Sequence, residues 1–351
     1  MKKLEDILEQ IQPVSQQELQ EGQLLCDRLA KPFGSLGQLE SIYARLFAIF
    51  SKEINLSKKV VLVYVADNGV VEEGVSSNPQ ETTAQVALNM IEGKSGICVL
   101  SRFVGNAVKV IDIGCKKDLG DISTQKIRYG TGNIRREAAM TLGEAEAAVL
   151  VGFEAAREMI AEGFTVLGTG EMGIGNTTTS VALIAALLEL DPQELTGYGA
   201  GLTDTMRSHK VQVIQDSLAL HSKMRDPLEV ASCLGGLDIL GIAGTFLAAA
   251  YYRVPCVIDG VISIAGLLLA SKLNTAVLDY AFASHCSKEP AFQVVANALG
   301  LSPVLDLEMR LGEGSGCPLA FQLMDTAVYT IEQMPTFEDC LLKSEDYIDI
   351  R

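Results

Sequence analysis

The sequence predicts an α/β fold: a mainly parallel sheet with helices on both faces, and helical chain ends placed to pack together as a small second domain. Three observations predict it. Val60–Ala66 is an unbroken β-branched and apolar run, the pattern of a strand buried on both faces. Shorter apolar runs alternate with helix-like stretches further along, as crossover connections in a parallel sheet require. The 32 glycines suit tight strand-to-helix turns better than a helical bundle, and a hydrophobic fraction of 48% is ample for a core.

Taken in order, Leu4, Ile7, Leu8 and Ile11 recur at helical spacing, and Pro13 ends that run. Ser15-Gln16-Gln17-Glu18 has the form of a capping box and opens a second helix toward Ala30. Gly34-Ser35-Leu36-Gly37 reads as a loop, and Leu39, Ile42, Leu46 and Ile49 mark one face of a third helix. The strand at Val60–Ala66 stops at the turn signal Asp67-Asn68-Gly69. Further strands are expected at Val108–Ile113, Thr165–Leu167, Val254–Ile258 and, less clearly, Ala276–Leu278. Helices are expected at Gly143–Ala161, Thr177–Leu190, Thr205–Ser222, Asp238–Tyr252 and Val261–Lys272. The last fifty residues return to helix without a clear strand.

Composition narrows the function. A formal charge of −16 repels phosphate backbones and argues against a nucleic-acid partner. The acidic N-terminus lacks the apolar core of a signal peptide, and Arg253, Pro255 and Asp259 interrupt the most apolar region, so no membrane span is expected. Eight scattered cysteines and three histidines show no metal-ligand spacing; free thiols in a cytoplasmic protein are the expectation, with no structural metal.

In open α/β sheets the chemistry lies beyond the carboxyl ends of strands. Four glycine-rich or polar segments fall there. Gly168–Thr179 follows a strand and opens a helix, with Asn176 a suitable N-cap; Gly173, Gly175, Asn176, Thr177 and Thr178 could cradle a phosphate, or merely form a tight capped turn. Glu171 in its midst suits a cationic substrate better than a phosphate. Gly197–Asp204 leads into a helix bearing Lys210, either a point charge for that phosphate or a solvated lysine. In Arg310-Leu311-Gly312-Glu313-Gly314 the carboxylate is flanked by glycines, so it is either a loop charge in water or a group presented to a ligand. Ala66–Pro79, continuing through Glu81, Thr82 and Gln85, reads as a long polar loop suited to substrate contacts or to plain acidic surface. Absent are a P-loop, a paired-aspartate magnesium motif, a nucleophile elbow and a dinucleotide-binding turn after the first strand.

These segments, in this order and together with Lys31–Gly37, Gly235–Ala243, Val257–Gly260 and Ser284–Pro290, resemble the nicotinate-nucleotide:dimethylbenzimidazole phosphoribosyltransferases of cobalamin biosynthesis. The resemblance covers nearly the whole chain. It implies a Rossmann-like large domain at residues 31–300, a small helical domain from residues 1–30 and 301–351, and a homodimer. It implies transfer of phosphoribose from nicotinate mononucleotide to a benzimidazole-type base, with inversion and without a cofactor. By the same resemblance Glu313 is the catalytic base, and Gly173–Thr178, Gly201 and Lys210 hold phosphate and ribose. Ser77, Gln85 and Leu311 would line the base pocket, and Glu171 would stabilise developing positive charge or hold a second carboxylate position. The chain has Asn68 and Asp238 where the family's Asp-His-Gly and Gly-Gly-x-Glu segments carry histidine and glutamate, which bears on fine substrate preference. Purines or phenols as acceptors, and a non-catalytic nucleotide sensor, are the competing readings; a sensor would have no need of Glu313.

Overall fold

The computed structural model describes residues 3–123, 125–199, 201–224 and 226–351. Its strands are β1 (Lys59–Ala66), β2 (Ala107–Gly114), β3 (Val166–Met172), β4 (Cys256–Ile258) and β5 (Ala281–Ala283). They form one parallel sheet in the order β2-β1-β3-β4-β5. The chain leaves β1 toward β2 on one side, then returns to place β3 on the other. The loops after β1 and β3 therefore diverge and open a crevice at the carboxyl edge.

Alternation along β1 assigns its two faces. Tyr64 Oη shares a 2.7 Å hydrogen bond with Thr245 and donates to the Gly152 carbonyl at 3.3 Å. Helices Leu142–Ala161 and Leu237–Tyr252 thus cover that face. Their backbones touch: a Cβ on Gly152 would lie 1.9 Å from the Gly241 carbonyl oxygen, so only glycine permits this crossing. On the opposite face, Val61 of β1 packs toward Gly314 and its neighbour Gly168 of β3 toward Cys317 and Phe321. Helix Cys317–Gln333 closes that side.

Several expectations are corrected. Ala276–Leu278 lies in a 3₁₀ turn, Thr275–Tyr280, because the Asn274 side chain caps the Ala276 amide; the strand follows at Ala281–Ala283. β3 does not stop at Leu167 but runs to Met172, so the first glycines of the Gly168–Thr179 segment are strand residues. The apparent loop ends early, since Gln85 lies in helix Thr82–Ile91. Asn176 is the first helical residue of Asn176–Leu188, and the cap is Gly175 at φ +92°. Helices Gly96–Val104, Pro227–Leu234 and Pro290–Ala298 are additional to those expected, each too short to stand out in the sequence. Beyond Gln333 the only regular element among the described residues is the 3₁₀ turn Ser344–Asp346.

The chain ends meet. Leu29 pairs with Thr336 and Phe33 with Asp349 in single bridges, and the rings of Phe33 and Phe337 lie 5.9 Å apart. Cys26, Leu29, Tyr43, Phe47 and Ile331 form a core of their own beside the main one. Leu4, Ile7 and Ile11 belong to the main core. Among the described residues no helix is long and apolar enough to cross a membrane.

Candidate active site

A cleft of about 370 Å³ lies at the carboxyl edge of the sheet. Of the residues singled out from sequence, Glu171, Gly173, Gly175, Asn176, Thr177, Lys210, Ser77, Leu311 and Glu313 line it. Three do not. Gln85 is exposed on its helix, although Thr82 and Val86 of the same helix line the wall. Thr178 is fully buried, its hydroxyl without a hydrogen-bond partner among the described residues. Gly201, at φ +107°, lies in a turn between the lining residues Gly199 and Leu202.

One end of the cleft suits an anion. Lys210, on helix Asp204–Leu220, is only 1% exposed and donates to Thr177 Oγ1 at 2.8 Å. It is not a solvated helix lysine. Burial pushes its pKa down to about 8, partly opposed by Glu289. Thr177 stands in the first turn of Asn176–Leu188, and Val261 opens Val261–Leu273 on the same cleft. The amides of Asn176 and Thr178 are taken by the Gly173 and Gly175 carbonyls, so the Thr177 amide, the start of Val261–Leu273 and the positive end of each helix dipole are what favour a phosphate.

The glycines of the β3 turn do a different task from the one their sequence suggests. A Cβ on Gly173 would lie 2.4 Å from the Ala66 carbonyl, and one on Gly175 would lie 2.6 Å from Val71. They let the β3 turn press against the loop after β1. Asn68 and Asp238, where the chain departs from the motifs it resembles, lie side by side behind this turn. Asp238 Oδ2 and Asn68 Nδ2 would be 2.8 and 3.1 Å from a Cβ on Gly173. Both are fully buried and outside the lining of the cleft.

The other end is acidic and closely braced. Asn176 donates its side-chain amide to both Glu171 and Asp238, the latter at 2.9 Å. Burial raises the Glu171 pKa to about 8, with neighbouring Asp238 and Asp259 adding to it. Asp238 is raised to about 6 and Asp259 to about 7, again mainly by burial. Asp259 accepts the amides of Gly314 at 3.0 Å and Gly316 at 2.7 Å, so it fastens the loop that presents Glu313. Glu313 itself sits at φ +63°, a left-handed conformation that costs a non-glycine residue on the order of 1 kcal/mol or more. Its Oε2 accepts the Ile97 amide at 3.0 Å, in the first turn of Gly96–Val104, where the helix dipole favours a carboxylate. Glu313 is 9% exposed, which makes it a presented group and not a loop charge in water.

Sequence reasoning misses the buried partners. In the sequence Asp238 stands out only as a motif departure, and nothing in the Ser95-Gly96-Ile97 segment signals an amide for Glu313. Asp259 and His285 fall within the Val257–Gly260 and Ser284–Pro290 segments that carry the resemblance, and both line the cleft. His285 Nδ1 shares a 3.0 Å hydrogen bond with Ser284 Oγ, and burial lowers its pKa. Among the described residues no group of three or more His, Cys, Asp or Glu side chains is placed to hold a metal ion.

Chemically, the cleft joins an anion-binding end to a wall of carboxylates, and the cations among its lining residues are Lys210 and Arg310. This arrangement has the chemistry to take a ligand that carries both a phosphate and a cationic centre.

Comparison with known proteins agrees with this architecture. A family model described as phosphoribosyltransferase matches residues 11–341. The nicotinate-nucleotide–dimethylbenzimidazole phosphoribosyltransferase of Clostridium tetani is 42% identical, covering all of this chain and 98% of that one. Its counterpart in Geobacter sulfurreducens is 44% identical, covering 98% of this chain and 99% of the relative. The crystal structure of CobT from Thermus thermophilus superposes with a TM-score of 0.89 at 41% identity, covering 93% of this chain and 99% of that one. With likeness of that extent in both sequence and structure, the chain belongs to the nicotinate-nucleotide–dimethylbenzimidazole phosphoribosyltransferase family.

Proposed function

We propose that this cleft transfers the phosphoribosyl group of nicotinate mononucleotide to a benzimidazole-type base, releasing nicotinate and forming α-ribazole phosphate for cobalamin synthesis. The observation that carries the reading is the placement of Glu313 and Glu171 opposite Lys210 and Thr177 in one cleft.

Lys210, Thr177 and the starts of two helices grip the phosphate and so fix the anomeric carbon. The nucleotide's pyridinium nitrogen is already positive. As the bond from that nitrogen to the anomeric carbon breaks, its electron pair returns to the ring and nicotinate leaves. Positive charge then grows on the ribose; the cationic nucleotide favours the ionised form of Glu171 over the protonated form it holds in the empty cleft, and that carboxylate is placed to stabilise the charge. The neutral ring nitrogen of the acceptor forms the new bond from the opposite face, which inverts the anomeric centre. The acceptor is now a benzimidazolium, and Glu313 takes the proton from its second nitrogen. Ser77 and Leu311 face the acceptor. Gln85, Thr178 and Gly201 lie outside the lining and carry no step of this reading.

The reading extends to organisation. The enzyme is a cytoplasmic homodimer whose large domain spans residues 31–300, with residues 1–30 and 301–351 forming the small domain. The Leu29–Thr336 bridge between the chain ends supports that division.

The test is to incubate the purified protein with nicotinate mononucleotide and dimethylbenzimidazole and follow both products by mass. Formation of α-ribazole phosphate is the expected result. Release of nicotinate only with a purine or a phenol would reassign the acceptor. Nucleotide binding with no product from any acceptor would overturn the reading in favour of a sensor.

A further inference from the structure

The loop after β1 is tied to the Lys210 helix by a polar strut outside the cleft. Glu73 ends the 3₁₀ turn Gly69–Glu73, and its side chain is only 8% exposed. It accepts from Asn133 Nδ2 at 2.7 Å and Arg135 Nη1 at 2.7 Å, and forms an ion pair with Arg136 Nη2 at 2.8 Å. Arg135 also donates through Nε at 3.0 Å and Nη2 at 2.7 Å to Asp216, on the helix that carries Lys210. A second tie runs alongside, where His209 Nε2 lies 2.6 Å from the Glu73 carbonyl oxygen.

The consequence is geometric. Gly74, at φ +72°, turns the chain directly after Glu73, and Val75, Ser76, Ser77 and Asn78 then form one wall of the cleft. The helix at the far end of the strut supplies Lys210. Lys210 is held by its own burial and by Thr177, whereas the wall is an irregular segment that Val75 anchors in the core and that Glu73, just before it, ties toward the Lys210 helix. A guanidinium gripping two carboxylates is a stiffer link than a lone ammonium, because its donors are fixed in one plane.

We propose that Arg135 is a positioning residue that sets the distance between the Ser77 wall and the Lys210 helix, and thereby the size of acceptor base the cleft takes. This rests on the transferase reading above. Arg135 touches neither substrate. Its contribution falls on the acceptor side, since cutting the strut loosens the wall, leaving the His209 contact as its tie to the Lys210 helix, while the phosphate grip stays intact.

The experiment measures steady-state kinetics of wild type, Arg135→Ala and Asp216→Asn with nicotinate mononucleotide and two acceptors, benzimidazole and dimethylbenzimidazole. Both variants are expected to raise the acceptor KM about tenfold while the nucleotide KM stays within about twofold. The preference between the two acceptors narrows. Arg135→Lys, which keeps the charge but not the fork, falls between wild type and Ala. Asp216→Asn leaves every contact of Glu73 in place, so it reads the helix arm alone and decides the question if Arg135→Ala fails to fold. An unchanged acceptor KM in Asp216→Asn, or equal rises for both substrates, would overturn the proposal. Wild-type protein that makes no product would refute the transferase reading itself, a result distinct from either.

Discussion

The carboxyl group of Glu171 sits against the backbone that presents Glu313, so close that a Cβ on Gly312 would lie 2.6 Å from its Oε1, and this brings the two acidic groups together in the cleft. Each also depends on a different support: Asn176 holds Glu171, and the Ile97 amide holds Glu313. The pair is built from segments 142 residues apart (313 minus 171) that meet only because β3 and the loop before helix Cys317–Gln333 press together.

That contact depends on a residue without a side chain. A Cβ on Gly170 would lie 2.5 Å from the Glu313 carbonyl oxygen, which is backbone and cannot swing aside. Gly170→Ala should push the Glu313 loop outward, costing about 1–3 kcal/mol of stability. A fall in kcat larger than the loss of folded protein should accompany it. Denaturation curves and turnover on the same samples check this; a variant with wild-type kcat would show that the loop tolerates displacement.

Lys210 is expected to trade stability against binding. It is a buried ammonium with its pKa depressed to about 8 from an ordinary 10.5. The unfolded chain therefore holds this proton more tightly, and the lysine's contribution to stability rises as pH climbs through that window. Lys210→Met should melt higher than wild type near neutral pH, because a desolvated charge is gone. It should also raise the nucleotide KM about ten- to a hundredfold, as for loss of a charged hydrogen bond. A variant that melts lower with an unchanged KM would contradict both halves.

The three raised carboxyls act in the opposite direction. Glu171, Asp238 and Asp259 have folded pKa values of about 8, 6 and 7, against ordinary values of 4.5, 3.8 and 3.8. Between about pH 4 and about pH 8 the folded chain keeps protons that the unfolded chain has released, so stability falls as pH rises. Melting of the unliganded protein should show this decline, and Glu171→Gln should flatten its upper part. The same slope in wild type and variant would remove Glu171 from the explanation.

Much of this is legible in the sequence, and the parts that are not share a physical reason. β1 is an unbroken apolar run and the helices at Leu142–Ala161 and Leu237–Tyr252 are long apolar stretches, so length and composition locate each of them. β5 escapes the reading because three residues, Ala281–Ala283, are too few to show alternation, while Asn274 converts the preceding apolar stretch into a 3₁₀ turn. Gly168 and Gly170 read as loop residues because local propensity takes no account of Cys317 and Glu313 lying against them. In the site, motif context singles out Glu313, Glu171 and Lys210, and all three line the cleft. Asp259 as a loop anchor and Ile97 as a donor depend on contacts between segments far apart in the chain. Arg135 lies in a stretch with no motif at all, and only the fold sets it between Glu73 and Asp216.

The central claim is that Glu313 removes the acceptor's proton while the nucleotide is held elsewhere in the same cleft. Its most direct test is Glu313→Gln, measured for kcat with dimethylbenzimidazole and, separately, for nicotinate mononucleotide affinity. The expected result is a fall in kcat of about a hundred- to ten-thousand-fold with nucleotide affinity nearly unchanged. A variant turning over at close to the wild-type rate, or one that loses nucleotide binding in proportion to its activity, would contradict it.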